Sequence, residues 1–288
     1  MRVTIADSPE EFATRTGDLL AGRIEHNLLA TVLEHFRFRP SRARALFAHV
    51  CDAEGTVVAA ALRTPPWRML ASVMDAATAD ALLAAWLPRD PSLPGVGAPR
   101  EVARALGCAW KQRTGGVSTL ATALALHTLE DVSAPARPAP GRLRVAGASD
   151  RELMVRWMRE FAVEAGIGDG ALAPELVGRG IDLGALHVWD DGGPVSLAGT
   201  QPAIAGVVRV GPVYTPPAHR SRGYASSAVA AVSRAALDAG ARRCALYTDL
   251  ANPTSNRIYA ALGYRRVLEW DELDFTRRSE EAPNPPPS

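Results

Sequence analysis

At 288 residues, 47% hydrophobic and 22% charged, the chain is long enough for two ordinary domains and has the balance of a globular protein. A formal charge of +1 leaves no electrostatic footprint for nucleic acid or an anionic membrane surface, so neither is expected as a partner. Cys51, Cys108 and Cys244 are isolated and the six histidines show no ligand spacing, which argues against a disulfide framework and against a bound metal. The N-terminus lacks a signal core and no apolar run reaches the roughly 18 residues of a spanning helix, so the expected location is the cytoplasm.

Ser8-Pro9-Glu10-Glu11 reads as a helix start, with Ser8 as N-cap, Pro9 in the first turn and Glu11 completing a capping box. Ile24, Leu28, Val32 and Phe36, spaced four apart, give a second helix one apolar face. Phe47 to Cys51 and Thr56 to Arg63 are predicted strands about a turn at Asp52-Ala53-Glu54-Gly55. Met69 to Val73 is a further strand, Ala76 to Leu87 an alanine-rich helix, and Pro88 to Pro99 a loop with room for a short strand. Arg100 to Arg113 returns to helical spacing through Val102, Leu106 and Trp110, and Val117 to Leu129 reads as one or two closing strands.

Val132 to Gly141 is proline-rich and non-helical, the best linker in the chain. The boundaries drawn from it are a first domain over 1–132, a linker over 133–142, a second domain over 143–277 and a polar tail over 278–288 that is expected to fray. Beyond the linker the order of elements repeats. Leu143 to Ala146 is a strand, Ser149 to Glu152 a second capping box, and Leu153, Trp157 and Phe161 the buried face of the helix it opens. Leu172 to Ile181 is helical. Leu186 to Trp189 and Val195 to Gly199 flank a hairpin turn at Asp190-Asp191-Gly192-Gly193. Trp157, Phe161, Trp189 and Trp270 hint at an apolar acceptor pocket, with a core position the preferred reading for each.

The stretch that organises this half runs from Val207 to Leu237. Val207, Val208, Val210 and Val213 predict a strand, and Ala225, Val229, Val232 and Ala236 predict a helix with one buried face. Between them lies Arg220-Ser221-Arg222-Gly223-Tyr224-Ala225. Unpaired N–H groups at a helix start carry its positive dipole end, so glycine and two arginines there read as a pyrophosphate cradle. Downstream, Asn252 is a predicted N-cap, Pro253 the first helical residue and Gly263 the stop, with Tyr259 two turns from Asn252 on the same face.

At these residues the chain resembles the GNAT superfamily of acyl-CoA-dependent N-acyltransferases. Arg220, Gly223 and Ala225 match its cofactor loop, Gln/Arg-x-x-Gly-x-Gly/Ala. Asn252, Ser255, Tyr259, Gly263 and Tyr264 match its later pattern, Asn-x-x-Ala/Ser-x-x-x-Tyr-x-x-x-Gly-Phe/Tyr. The resemblance covers residues 143 to 275 well and the first half in outline. It implies an α/β (α+β) chain of two GNAT-like domains, each a mixed, mostly antiparallel sheet flanked by helices, with central parallel strands that splay apart.

The resemblance also assigns roles. Val213, Tyr214 and Thr215 would meet the pantetheine arm through the backbone. Arg220, Ser221, Arg222, Gly223, Tyr224 and Ala225 would hold the pyrophosphate, with Ser226 adding a hydroxyl. Asn252 would bond the pantetheine, with Ser255 and Asn256 beside it. Tyr259 would face the thioester sulfur as general acid. The strand from Val207 to Thr215 lacks the glutamate that many relatives use as a base, so Asp249 or a water chain is the candidate. The first half's counterpart of the cofactor loop, from Val73 to Ala81, has no glycine or arginine and carries Asp75 and Asp80, so this copy is expected to bind no CoA. The implied activity is transfer of acetyl from acetyl-CoA to a primary amine of a small molecule or peptide, by a monomer or homodimer. The alternative is a non-catalytic acyl-CoA-binding regulatory protein.

Overall fold

The computed structural model describes residues 1–38 and 45–277, so the expected frayed tail over 278–288 lies outside the described residues. In chain order the elements are β1 (Arg2–Ala6), α1 (Pro9–Gly22), α2 (Asn27–Phe38), β2 (Leu46–Cys51), β3 (Val57–Arg63), β4 (Met69–Ala71), α3 (Ala76–Trp86), β5 (Gly95–Pro99), α4 (Arg100–Thr114) and β6 (Val117–Leu129). They continue with β7 (Arg142–Val145), α5 (Arg151–Glu164), α6 (Ala173–Asp182), β8 (Leu186–Asp190), β9 (Pro194–Thr200), β10 (Val207–Tyr214), α7 (Tyr224–Asp238), β11 (Arg243–Asp249), α8 (Pro253–Ala261) and β12 (Arg265–Thr276). None of the described helices is long and apolar enough to cross a membrane.

The described residues divide into two compact units, 1–38 and 45–124 with 268–277, and 125–267. In the first unit the strand order is β1-β2-β3-β4-β5-β12, antiparallel except where β4 runs parallel to β5. Its core lies under α3 and α4, where Leu82, Leu83, Trp86, Leu106 and Trp110 meet the alanine- and valine-rich strands. Ser8 caps α1 as expected, accepting the Glu11 N–H at 3.1 Å, but the expected box does not close on it: Glu11 Oε2 accepts the N–H of Asp7, one residue earlier, at 3.0 Å.

In the second unit the order is β11-β10-β9-β8-β7, with the end of β6 beside β11; β10 and β11 are parallel and β7 to β10 antiparallel. One core lies between the sheet and α7, through Ala228, Val229 and Val232. A second lies against α5 and α6, through Met154, Trp157 and Val177. The expected capping box at Ser149 is replaced. Asp150 accepts the Gly147 N–H at 2.8 Å and is held by both terminal nitrogens of Arg144, so a charged pair orders this turn instead of a hydroxyl.

The division between units does not fall at the proline-rich segment. Residues 125–132 belong to the second unit and β12 from residue 268 to the first, against boundaries drawn at 132 and 143. The reason is strand pairing. Trp270 to Asp274 of β12 pairs with Gly95 to Pro99 of β5, and Arg100 clamps Asp271 through three hydrogen bonds. The segment around 133–142 is not a free linker either. The Ser133 N–H donates to the Leu262 carbonyl, and the Ala139 N–H donates to Ser227 Oγ at 2.9 Å, so it lies as a strap along α7.

Candidate active site

β10 and β11 pair only at their starts: Val207 with Arg243, Val208 with Cys244, and Arg209 with Ala245. Beyond Arg209 the strands part. β10 continues to Tyr214 on β9 alone, its register broken between Val210 and Val213. A backbone edge without a ladder partner must bond elsewhere, so the cleft side of β10 is open to a polar chain. Val213, Tyr214 and Thr215 end that edge with their side chains already engaged. Tyr214 donates its hydroxyl to Glu160 of α5 at 3.0 Å, Thr215 Oγ1 lies 2.8 Å from Ser196 Oγ, and Val213 packs into the core under α7. What they offer a ligand is backbone.

The loop after β10 passes through a 3-10 turn, Pro217–His219, into Ser221 at φ +63° and Gly223 at φ +83°. Both lie in the left-handed region, where a glycine is unstrained and a serine is not. The first intrahelical bond of α7 runs from the Ser227 N–H to the Gly223 carbonyl. The N–H groups of Gly223, Tyr224, Ala225 and Ser226 therefore precede the helix ladder, and no side chain caps them. These donors are left open, with the positive end of the α7 dipole behind them.

The side chains of this loop divide unevenly. Arg220 pairs with Glu164 at 2.6 Å, donates Nε to the Thr215 carbonyl at 2.9 Å and lies over the Tyr214 ring. Its charge is thus paired with α5, and it ties the loop to that helix. Arg222 is exposed, makes no ion pair among the described residues and lies beside the Tyr224 hydroxyl, so it is the less committed of the loop's two arginines. Tyr224 is buried and donates to Asp191 at 2.6 Å, which pushes its phenol pKa up. Ser226 donates to the Gly223 carbonyl at 2.8 Å, so its hydroxyl proton is committed to the turn. Gly223 is required twice: by its φ, and because a Cβ there would stand 2.8 Å from the Arg137 carbonyl oxygen of the strap.

α8 forms as its motif predicts. The Ser255 N–H donates to Asn252 Oδ1 at 3.0 Å, leaving the exposed Asn252 amide N–H groups available. At the other end Gly263 takes φ +98°, and the N–H groups of Gly263 and Tyr264 return to Ala260 and Tyr259, a Schellman closure. Asn256 donates to the Asp249 carbonyl at 3.0 Å, so its amide locks the turn between β11 and α8. Asp249 is exposed, and its Oδ1 accepts the Ala251 N–H at 2.8 Å, the geometry of a turn-forming aspartate.

Tyr259 packs edge-on against Tyr264, whose hydroxyl lies 2.8 Å from Ser233 of α7. The Tyr259 hydroxyl bonds to none of the described residues, and burial pushes its pKa up to about 12. It is therefore a protonated phenol with its donor unspent among the described residues. In the first unit, by contrast, the N-terminus of α3 is closed. Asp75 accepts the Thr78 N–H at 2.7 Å, a bond that holds its carboxyl below the usual range, and Asp80 pairs with Arg113 at 2.6 Å.

Sequence reasoning missed Glu160 and Glu164, Asp191, and the strap at residues 137–139. Only the first pair had a local signal, two carboxylates four apart on one predicted helix face.

Residues 157–264 match the Acetyltransferase (GNAT) family model. No curated protein matches in sequence. Among solved structures, a GNAT-family acetyltransferase from Colwellia psychrerythraea is 11% identical at a TM-score of 0.62, over 96% of this chain and 100% of that one. A GCN5-related N-acetyltransferase from Sphaerobacter thermophilus is 16% identical at 0.60, over 96% of this chain and 95% of its own. A tandem GNAT protein from the clavulanic acid biosynthesis pathway is 15% identical at 0.58, over 98% and 100%. At these identities the likeness is one of fold, and it extends over nearly the whole chain.

Proposed function

We propose that this chain, which carries a GNAT acetyltransferase-family domain over residues 157–264, moves an acetyl group from acetyl-CoA to a primary amine of a small molecule or peptide. The observation that carries the reading is the uncapped start of α7, set directly after the strand that parts from β11. Its four leading N–H groups and Arg222 suit a pyrophosphate, and the open edge of β10 suits the amide-bearing arm that follows it. Only the second unit has this arrangement; in the first, Asp75 occupies the corresponding helix start, so we assign donor binding to the second unit alone.

In this reading a backbone N–H on the open edge of β10 stabilises the oxyanion as the amine attacks. Tyr259 donates its hydrogen bond to the sulfur as that atom gains charge. Asp249 is committed to its turn, so the proton of the attacking amine leaves through water. The test is direct. Acetyl-CoA is titrated by calorimetry, then free thiol is followed with a broad panel of amines. Saturable binding with thiol release supports the proposal; binding without turnover across the panel would leave an acyl-CoA-binding regulatory module in its place.

A further inference from the structure

The second unit holds one half-buried charge, Arg209, that nothing above uses. Val208 and Val210 of β10 pack with Cys244 and Leu246 against α7. By strand alternation Arg209, and Ala245 and Tyr247 on β11, face the other way, toward the layer of α5 and α6. Arg209 Nε is buried with no hydrogen-bond partner, and its guanidinium makes no ion pair among the described residues. Burial pulls the guanidinium pKa down, and the group acting against this is the Tyr247 hydroxyl, not a carboxylate.

The surroundings are shaped for a small guest. Ala245 is the direct neighbour of Arg209 on β11, and a Cβ built on Gly211, two residues along β10, would meet nothing within 4 Å. Arg209 is also the last residue of β10 paired to β11, so it stands where the cleft opens. A guanidinium with a shielded, unsatisfied N–H and no counterion is poorly compensated, and its planar fork matches a carboxylate through two parallel bonds. A single fork suits a monoanion, whereas a phosphate dianion is better served by several donors.

We infer that Arg209 is a specificity-determining residue that receives a carboxylate carried by one of the two reactants. That carboxylate is either the far end of the acyl group, as in succinyl-CoA, or part of the amine acceptor, as in an amino acid. The inference takes its setting from the acyl-transfer reading, but its test does not need turnover.

Calorimetry on the full chain and on Arg209→Met would compare two pairs of ligands: succinyl-CoA with acetyl-CoA, and amino acids with their carboxamides. The expected result is at least tenfold tighter binding of the carboxylate member in one pair, falling to within twofold in Arg209→Met and partly kept in Arg209→Lys. The pair that discriminates identifies the source. Equal binding within both pairs for the unaltered chain, or a preference that survives in Arg209→Met, would overturn the inference. Arg209→Met should also melt at or above the temperature of the unaltered chain, and a drop of several degrees would mark a structural cation and overturn it too. Failure to bind acetyl-CoA would sink the acyl-transfer reading and still leave the amino-acid pair to judge Arg209.

Discussion

Replacing Tyr259 with phenylalanine separates two roles that the fold superimposes on this side chain. Burial raises the phenol to about 12, while a free thiol titrates near 8.5, so complete proton transfer to a thiolate would be uphill by roughly 5 kcal/mol. The phenol thus acts chiefly by hydrogen-bonding to sulfur as charge develops there. A hydrogen bond to a charged group contributes about 1.5–3 kcal/mol, which converts to a fall in kcat of roughly 10- to 150-fold. Because the hydroxyl bonds to none of the described residues, its removal should leave the melting temperature within about 1 °C and acetyl-CoA affinity within about twofold. The assay is thiol release at saturating acetyl-CoA, with calorimetry and thermal melts on both proteins. An unchanged kcat would remove Tyr259 from the chemistry. An alkaline limb near pH 10 that disappears in Tyr259→Phe would refute the burial argument, since a phenol raised to about 12 stays protonated there.

Gly223→Ala should destabilise by roughly 1–2 kcal/mol from its left-handed φ alone, and more if the Arg137 carbonyl cannot retreat; thermal melts would read it, and an unchanged melt would mean the loop relaxes freely. Acetyl-CoA affinity should fall with it, since the same residue opens the four N–H groups. Asp249→Ala should lose about 0.5–1.5 kcal/mol of stability with its turn bond while the acid limb of kcat/KM persists; loss of that limb would make Asp249 the base. His26 is buried and neutral, with Nδ1 at 2.9 Å from the Leu19 carbonyl and Nε2 accepting the Val73 N–H at 3.2 Å. Burial lowers its folded pKa below the unfolded 6.5. Between those values the unfolded chain binds the proton more readily, so stability is full above pH 6.5 and falls below it. A melt series over pH 5 to 8 should show this loss, and His26→Gln should reduce it without abolishing it, since burial also lowers His49, His127 and His187.

Local grammar carried most of what was legible from the sequence. Ser8 and Asn252 cap where their spacing predicts, because a capping hydroxyl or amide needs only the next three residues. Ser149 does not, because Asp150 takes the turn N–H itself and is held by Arg144, whose guanidinium is in turn fixed by Asp190 across the β7–β8 pair. The cradle loop was legible as backbone and misleading as side chains. Arg220 meets Glu164 across 56 positions of sequence, and no window of a few residues contains that pair. The strap failed for a related reason: proline richness marks an extended chain, but whether that chain hangs free or lies on a helix depends on Ser227 and Leu262. Arg209 left no mark among the valines of its strand, since an unpaired guanidinium is visible only once the residues around it are known to be small.

The pairing of β12 with β5 also bears on how the chain is made. About 170 residues separate the end of β5 from residue 268, where the first unit resumes. At roughly 5–20 residues per second a ribosome needs about 8–34 s to cover that distance. Throughout that interval the flank of β5 that β12 will cover stands bare, a template for pairing with another nascent chain. Its sequence, Gly95-Val96-Gly97-Ala98-Pro99, is short, weakly strand-forming and ends in a residue without an N–H, which blunts that hazard. The unit begun first is therefore completed last, and a ribosome halted inside α8 would release a chain whose missing strand belongs to the opposite end of the sequence.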